Sequence, residues 1–169
     1  SYIEQKNPET VLEAFSLVLE RCNVAVGVLF GQGAMLSRME ELRSTLAHKE
    51  RIHIFGYTDE LWGYMKAADV LVSLSLFEGN PNVALEGIAA KCPLVLSDIP
   101  EHREIVDEES AVLVDAQDVE AAAKAILKVL LQPEYASAMA QRAYSCIGSW
   151  SVDRAADQYR RLYASLVEG

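Results

Sequence analysis

Two glutamates eight residues apart, Glu78 and Glu86, are the strongest candidates for chemistry in this sequence. Glu78 falls in a loop after a predicted strand, and Glu86 falls about one and a half turns into the helix that Asn80-Pro81 opens. We expect the two carboxylates to face one cavity, because they bracket the start of that helix. Carboxylates accept hydrogen bonds from vicinal hydroxyls, whereas free amides at a helix start favour phosphate. The spacing therefore predicts a ligand with both sugars and phosphates. The alternative is a solvated Glu86 and a plain loop charge at Glu78.

Lys6 is the second candidate. It follows the first predicted strand and lies at the start of the helix that Asn7-Pro8 begins, where a cation is poorly placed for the helix dipole. Such a lysine is either solvated or kept for a bound anion.

The turn Gly31-Gln32-Gly33 lies between a predicted strand and a predicted helix, as in dinucleotide-binding folds. Leu36 occupies the position of the third glycine, so a nicotinamide dinucleotide site is only an alternative. We interpret Gly31 and Gly33 as a helix-entry turn that lines a nucleotide cleft. Phe55, at the end of the next strand, is placed to flank a nucleobase.

The histidines of the sequence, His48, His53 and His102, share no spacing typical of metal ligands, and no metal site is predicted. His102 lies in a loop after a strand, so it is either a structural residue or a catalytic base.

Short apolar runs alternate with amphipathic stretches, and this rhythm predicts the elements that position the candidate residues. It is typical of an α/β fold, here a Rossmann-like parallel sheet of about six strands with helices on both faces. One strand precedes Lys6, and five more are predicted over 24–30, 52–55, 70–74, 93–96 and 111–114. After the helix at Asn7-Pro8, helices are predicted over 35–47, 58–68, 80–90, 119–131, 134–147 and 152–167, the last with Ser151 as N-cap. Ligands bind outside the carboxyl ends of such strands, where Glu78 and Lys6 fall.

Composition excludes several classes of protein. The 169 residues carry 15 Lys plus Arg and 25 Asp plus Glu, a net charge of -10, and 51% are apolar. The acidic balance argues against binding to nucleic acid or an anionic membrane surface, and the apolar fraction argues against disorder. No apolar run is long enough to span a bilayer. Cys22, Cys92 and Cys146 suggest neither a disulfide framework nor a zinc site, so we expect one soluble domain in the reducing cytoplasm.

The stretch over residues 67–106 strongly resembles the C-terminal domain of family 4 retaining glycosyltransferases of the GT-B fold, and the resemblance covers nearly the whole chain. Its motifs are E-x7-E at Glu78 and Glu86, S-D-I-P-x-H-R-E-I-V at 97–106, and the pair Ser149-Trp150 before the last helix. F-G-Q-G at 30–33 stands where the family usually shows G-D-G-P.

The resemblance implies roles for these positions. Glu78 would contact the transferred sugar as the catalytic carboxylate, and Glu86 would bind the ribose hydroxyls of the nucleotide. Lys6 would bind the diphosphate, usually with an Arg five or six positions ahead of it; Ser1 stands at that place or the chain begins after it. The loop residues that would lie against the diphosphate and sugar are Gly79, Asn80, Pro81 and Asn82, with Pro81 contributing only shape.

The resemblance also implies what surrounds the domain. Residues 1–169 would form a single nucleotide-sugar-binding domain excised from a two-domain protein, and the missing N-terminal half would bind the acceptor and make any peripheral contact with a membrane. The donor would be a nucleotide-diphosphate sugar, with no metal or other cofactor. We expect this domain alone to bind donor weakly and to be inactive. The alternatives are an NAD-dependent oxidoreductase domain and a non-catalytic module that binds nucleotide sugars.

Overall fold

The computed structural model describes residues 1–147, 156, 157, 159–161 and 163, and it consists of helices alternating with parallel strands. The strands are β1 (Gly27–Phe30), β2 (Ile52–Phe55), β3 (Leu71–Ser73), β4 (Leu94–Ser97) and β5 (Val112–Val114). The helices are α1 (Pro8–Arg21), α2 (Leu36–Thr45), α3 (Leu61–Ala67), α4 (Asn82–Ala89), α5 (Pro100–Arg103), α6 (Val119–Leu131) and α7 (Pro133–Cys146). Short 3-10 helices cover Glu4–Lys6 and Lys49–Arg51. The pair Ser149-Trp150 and the predicted cap Ser151 lie outside the described residues, and the predicted last helix is described only at the separate positions after 147, which are helical.

All strand pairings are parallel, which confirms the predicted α/β class. The strands form a two-stranded sheet, β1-β2, and a three-stranded sheet, β3-β4-β5. The prediction of about six strands is therefore one too high for the described residues. The strand expected before Lys6 is absent there, since residues 4–6 form a 3-10 helix instead.

The N-terminal segment nevertheless links the two sheets. The Tyr2 amide donates to the Gln32 carbonyl just past β1, at 2.9 Å, and the Leu76 amide just past β3 donates to the Gln5 carbonyl, at 2.8 Å. Residues 1–6 thus cross from the carboxyl end of one sheet to that of the other, where ligands of parallel sheets bind.

Strand β1 is shorter than the strand predicted over residues 24–30. An apolar run from Val24 predicts a buried strand, but β1 begins at Gly27, and Val24 is 83% exposed. The reason is pairing: β1 is matched residue for residue to β2, from Gly27 opposite Ile52 to Phe30 opposite Phe55, so the four residues of β2 limit its length.

Helices cover both faces of the three-stranded sheet, as predicted. In β4, Leu94 and Leu96 pack with Ala84 and Ile88 of α4, whereas Val95 packs with the core formed by α1 and α6. All four residues of β4 are buried, because it has a strand on each side and helices above and below.

In the described part of the chain, no helix combines the length and hydropathy needed to cross a membrane.

Candidate active site

The predicted site residues Lys6 and Glu78 are in direct contact. The Lys6 ammonium nitrogen lies 2.6 Å from Oε1 and 2.7 Å from Oε2 of Glu78. The Glu78 side chain is only 5% exposed, and that of Lys6 is 27% exposed. A carboxylate this well buried needs such a partner, because removing an unpaired charge from water is costly.

Backbone contacts between two distant segments hold this pair in place. Lys6 ends the 3-10 helix after Gln5, and Glu78 follows β3 by five residues. The Gln5 carbonyl accepts from Leu76, and the Gln5 side-chain amide donates to the Phe77 carbonyl at 2.9 Å. Gln5 thus fastens the residues before Lys6 to those before Glu78.

A buried polar layer lies beside the Glu78 loop. The Ser97 hydroxyl donates to the Ser75 carbonyl at 2.6 Å, and the His102 Nδ1 lies 2.8 Å from the Ser97 carbonyl. Ser75, Ser97 and His102 are all buried. This layer joins the carboxyl ends of β3 and β4 to α5, and it gives the loop a fixed base.

His102 is neutral in this layer. Burial lowers the pKa of its imidazole, an effect that the hydrogen bond to Ser97 and the negative charge of Glu78 only partly offset. The Ser97 carbonyl can only accept, so Nδ1 carries the proton, and Nε2 is left as a buried acceptor with no partner among the described residues. The structure assigns His102 a structural position under the site.

The loop from Gly79 to Pro81 leads into α4, where several backbone amides have no protein acceptor among the described residues. Pro81 is buried at the N-cap position, and the Asn80 side-chain amide donates to the Asn82 side chain at 2.7 Å. In the described part of the chain, four backbone amides donate to no protein acceptor, namely those of Gly79, Asn80, Val83 and Ala84. These amides, at the start of an eight-residue helix that follows Glu78, suit an anion.

Glu86 behaves differently from Glu78. It is exposed on α4, and its carboxylate has no hydrogen-bond or ion-pair partner among the described residues. The two carboxylates, which we expected to face one cavity, thus make no direct contact with each other. Glu86 is free to meet a ligand, whereas Glu78 already has a protein partner.

The glycines Gly31 and Gly33 form the expected turn before α2, and both are required there. Each has φ of 156°, a conformation that glycine alone adopts without strain. A Cβ on Gly31 would lie 2.9 Å from the Ser1 backbone, and one on Gly33 would overlap the Tyr2 carbonyl oxygen. The turn therefore admits the N-terminal segment that carries Lys6.

Phe55 lies in an aromatic cluster at the carboxyl ends of β1 and β2. Its ring stacks on Phe30 with centroids 5.4 Å apart, and Tyr64 lies 4.5 Å from Phe30. The Phe55 carbonyl accepts from the Gly31 amide at 3.2 Å and from the Tyr2 hydroxyl at 2.7 Å. Phe55 is 47% exposed, so one aromatic surface remains open to a flat ligand.

A cavity of about 330 Å³ lies beside this site at the carboxyl ends of the three-stranded sheet. It is lined by Leu76, Asp98, Ile99, Asp115, Ala116 and Gln117. Arg103 donates to both carboxylate oxygens of Asp98 and lowers the pKa of that group. The cavity touches the Glu78 loop through Leu76 alone.

Sequence reasoning missed the residues that support the site. Gln5 and Tyr2 act through backbone carbonyls that are distant in sequence, so no motif marks them. Ser75 and Ser97 are polar residues at the ends of apolar strands, and that position could have marked both; Ser97 also begins the motif at 97–106. Among the described residues, no group of three His, Cys, Asp or Glu side chains could hold a metal ion.

Comparison with known proteins decides the family. The sequence profile of the family described as "Glycosyl transferases group 1" matches residues 1–145. The chain belongs to this family. The resemblance seen in the sequence is therefore confirmed, and the oxidoreductase alternative loses its basis.

One curated relative of this chain is the lipopolysaccharide core biosynthesis glycosyltransferase LpsE of Rhizobium meliloti. It is 28% identical over 167 residues, which cover 97% of this chain and 48% of LpsE. The chain thus spans about half the length of this relative.

Solved structures share the fold of this group 1 domain. A TarM variant of S. aureus, in complex with Fondaparinux, alpha-GlcNAc-glycerol and UDP, superposes with a TM-score of 0.88 at 19% identity, over 96% of this chain and 34% of that one. The C-terminal domain of a glycosyl transferase group 1 family protein (LpcC) from Francisella tularensis has a TM-score of 0.79 at 22% identity, over 89% of this chain and 82% of that one. The second match covers most of both chains.

Proposed function

We propose that this chain is the donor-binding domain of a retaining glycosyltransferase and that it binds a nucleoside-diphosphate sugar at the carboxyl end of β3. The acceptor-binding site and the remaining catalytic groups would belong to a second domain, since LpsE is about twice as long as this chain. Residues 1–169 would be a single domain of that larger protein.

One observation carries the proposal: a buried carboxylate, an ammonium group and unpaired amides converge on one loop. Glu78 provides a hydroxyl acceptor, Lys6 provides a cation, and the start of α4 provides amide donors. A sugar diphosphate has the complementary groups, namely hydroxyls next to an anion.

Glu86, Phe55 and the residues of the loop then take the remaining parts of the donor, and Gly31 and Gly33 form the turn that lines the nucleotide cleft. Exposed Glu86 accepts hydrogen bonds from the ribose hydroxyls, and the open ring of Phe55 stacks on the base. Gly79, Asn80 and Asn82 lie along the diphosphate and the sugar, and Pro81 shapes the turn without donating a hydrogen bond.

These positions fit the chemistry of glycosyl transfer. As the bond between the anomeric carbon and the diphosphate oxygen breaks, positive charge develops on the sugar and negative charge on the diphosphate. The positive charge on the sugar strengthens its interaction with Glu78, and Lys6 and the α4 amides stabilise the negative charge on the diphosphate. The acceptor oxygen must arrive from the second domain, so we expect no turnover by this chain alone.

Calorimetric titration tests the proposal. The UDP, GDP and ADP sugars are titrated into the 169-residue chain; UDP is the first choice because the TarM structure contains it. One nucleotide sugar should bind, and Glu86→Ala should weaken binding about tenfold, the scale of one charged hydrogen-bond acceptor. Glu20→Ala, which removes an exposed carboxylate at the end of α1, is the matched control.

Three results would contradict the proposal. Absence of binding by every nucleotide sugar would remove its basis. A change in NADH fluorescence on mixing, without binding of any nucleotide sugar, would favour a dinucleotide enzyme instead. A non-catalytic module would bind donor but release no sugar in the full-length protein with any acceptor.

A further inference from the structure

The contact between Lys6 and Glu78 has a consequence for ligand choice. The ammonium group lies within 2.7 Å of both carboxylate oxygens, and the described residues offer Glu78 no other hydrogen-bond donor. The proposed function assigns the diphosphate to Lys6 and the sugar to Glu78. The two groups that must receive the donor are therefore each other's partners in the unbound protein.

We infer that donor binding exchanges this ion pair: the diphosphate takes Lys6, and the sugar hydroxyls replace Lys6 at Glu78. The inference rests on the proposed function and deepens it. Binding of the diphosphate to Lys6 and binding of the sugar to Glu78 then depend on each other. Glu78 therefore determines whether the protein prefers a nucleoside-diphosphate sugar to the bare nucleoside diphosphate.

Burial of Glu78 is the physical reason. Its side chain is 5% exposed, so Glu78 has little access to water when the ammonium turns towards a diphosphate. A carboxylate left buried without donors opposes binding. A nucleotide sugar supplies hydroxyl donors at that point, whereas a nucleoside diphosphate supplies none. Lys6 can turn because its side chain is 27% exposed and carries the ammonium group on a flexible stem.

Among the described residues, His102 is a titratable neighbour on which the charges of both Lys6 and Glu78 act. It is a weak replacement for the Lys6 cation, because burial lowers the pKa of its imidazole and favours the neutral form. The Nδ1 proton of His102 is already donated to the Ser97 carbonyl.

Calorimetry on wild-type and Glu78→Gln chains tests this exchange. The probes are three pairs, UDP with UDP-glucose, GDP with GDP-mannose and ADP with ADP-glucose. The glutamine is nearly isosteric and leaves no buried charge when Lys6 departs. We expect it to tighten binding of the bare diphosphate and to weaken binding of the sugar form. The preference for the sugar form should fall by about tenfold, equal to about 1.4 kcal/mol.

Controls separate this effect from general changes. Glu104→Gln removes one exposed negative charge just after α5 and should leave the preference unchanged. Glu78→Asp keeps the charge but shortens the side chain, so it should lower the preference in the same direction, and it serves if the glutamine variant loses its fold by circular dichroism.

The outcomes distinguish this inference from the proposed function. If wild type binds a nucleotide sugar but Glu78→Gln leaves the preference unchanged, or weakens both ligands equally, the exchange is wrong and the donor site stands. If wild type binds neither member of any pair, the proposed function and the exchange fall together.

Discussion

The carboxyl ends of the two sheets differ in chemistry, although both consist of parallel strands. The three-stranded sheet ends in buried polar groups, Ser97, His102 and Glu78, whereas the two-stranded sheet ends in the partly exposed rings of Phe30 and Phe55. The first end fixes charges and hydrogen bonds before any ligand arrives. The second offers a flat apolar surface that is partly open to solvent. A nucleotide sugar needs both kinds of surface, one for its charged part and one for its base.

The largest contrast should lie in stability. Leu96→Ala removes a fully buried side chain from β4 and should lower the free energy of unfolding by about 3 kcal/mol. Val28→Ala in β1 removes a side chain that is 37% exposed and should cost less than about 1 kcal/mol. Urea denaturation measures both. Equal losses would mean that the two sheets are supported alike.

The Lys6–Glu78 pair should produce the next largest change. Lys6→Met leaves Glu78 buried and unpaired, and we expect a loss of about 2 kcal/mol, below the range for fully buried pairs because Lys6 is partly exposed. Adding Glu78→Gln to Lys6→Met should recover most of that loss in urea denaturation. Arg38→Met, which breaks an exposed pair with Glu9, is the control and should have no measurable effect. A double variant no better than Lys6→Met would show that the pair is not coupled.

The fold and the candidate site differ in how much of each could be predicted from the sequence. Alternation of short apolar runs with amphipathic stretches located every described strand and the α/β class, because strands and helices leave different periods in the sequence. It could not predict that β1 begins only at Gly27, since β2 sets that limit from 25 residues away. The E-x7-E spacing marked Glu78 and Glu86 alike. Only packing distinguishes them: one is buried against Lys6, and the other is exposed.

The polar layer should give a smaller, pH-dependent effect. Because burial lowers the pKa of His102 in the folded state, the unfolded chain binds more protons there. The stability it contributes is present above the ordinary histidine pKa of about 6.5 and is lost as pH falls below it. Melting temperature should therefore fall more between pH 7.5 and 5.5 in wild type than in His102→Asn, whose amide can still donate to Ser97. Identical slopes would contradict a buried neutral imidazole. The chosen window lies above the titration of the carboxylates, about pH 4.

The aromatic end should give the smallest change in stability. Phe55→Ala removes an edge ring that is 47% exposed, and we expect a loss of less than about 1 kcal/mol in urea denaturation. Nucleotide affinity should nevertheless fall about tenfold, as expected for one lost base–aromatic stack. Tyr57→Ala, a more exposed aromatic just after β2, is the control for both measurements. A large loss of stability with unchanged affinity would place Phe55 in the core rather than in a binding surface.

Amide chemical-shift mapping during titration with a nucleoside-diphosphate sugar tests the donor site most directly. We expect the largest shifts on Gly79, Asn80, Val83 and Ala84, whose backbone amides have no protein acceptor in the described structure. Smaller shifts should follow at Phe55. Shifts confined to the far end of the sheet, or none at saturating ligand, would contradict a donor site at the Glu78 loop.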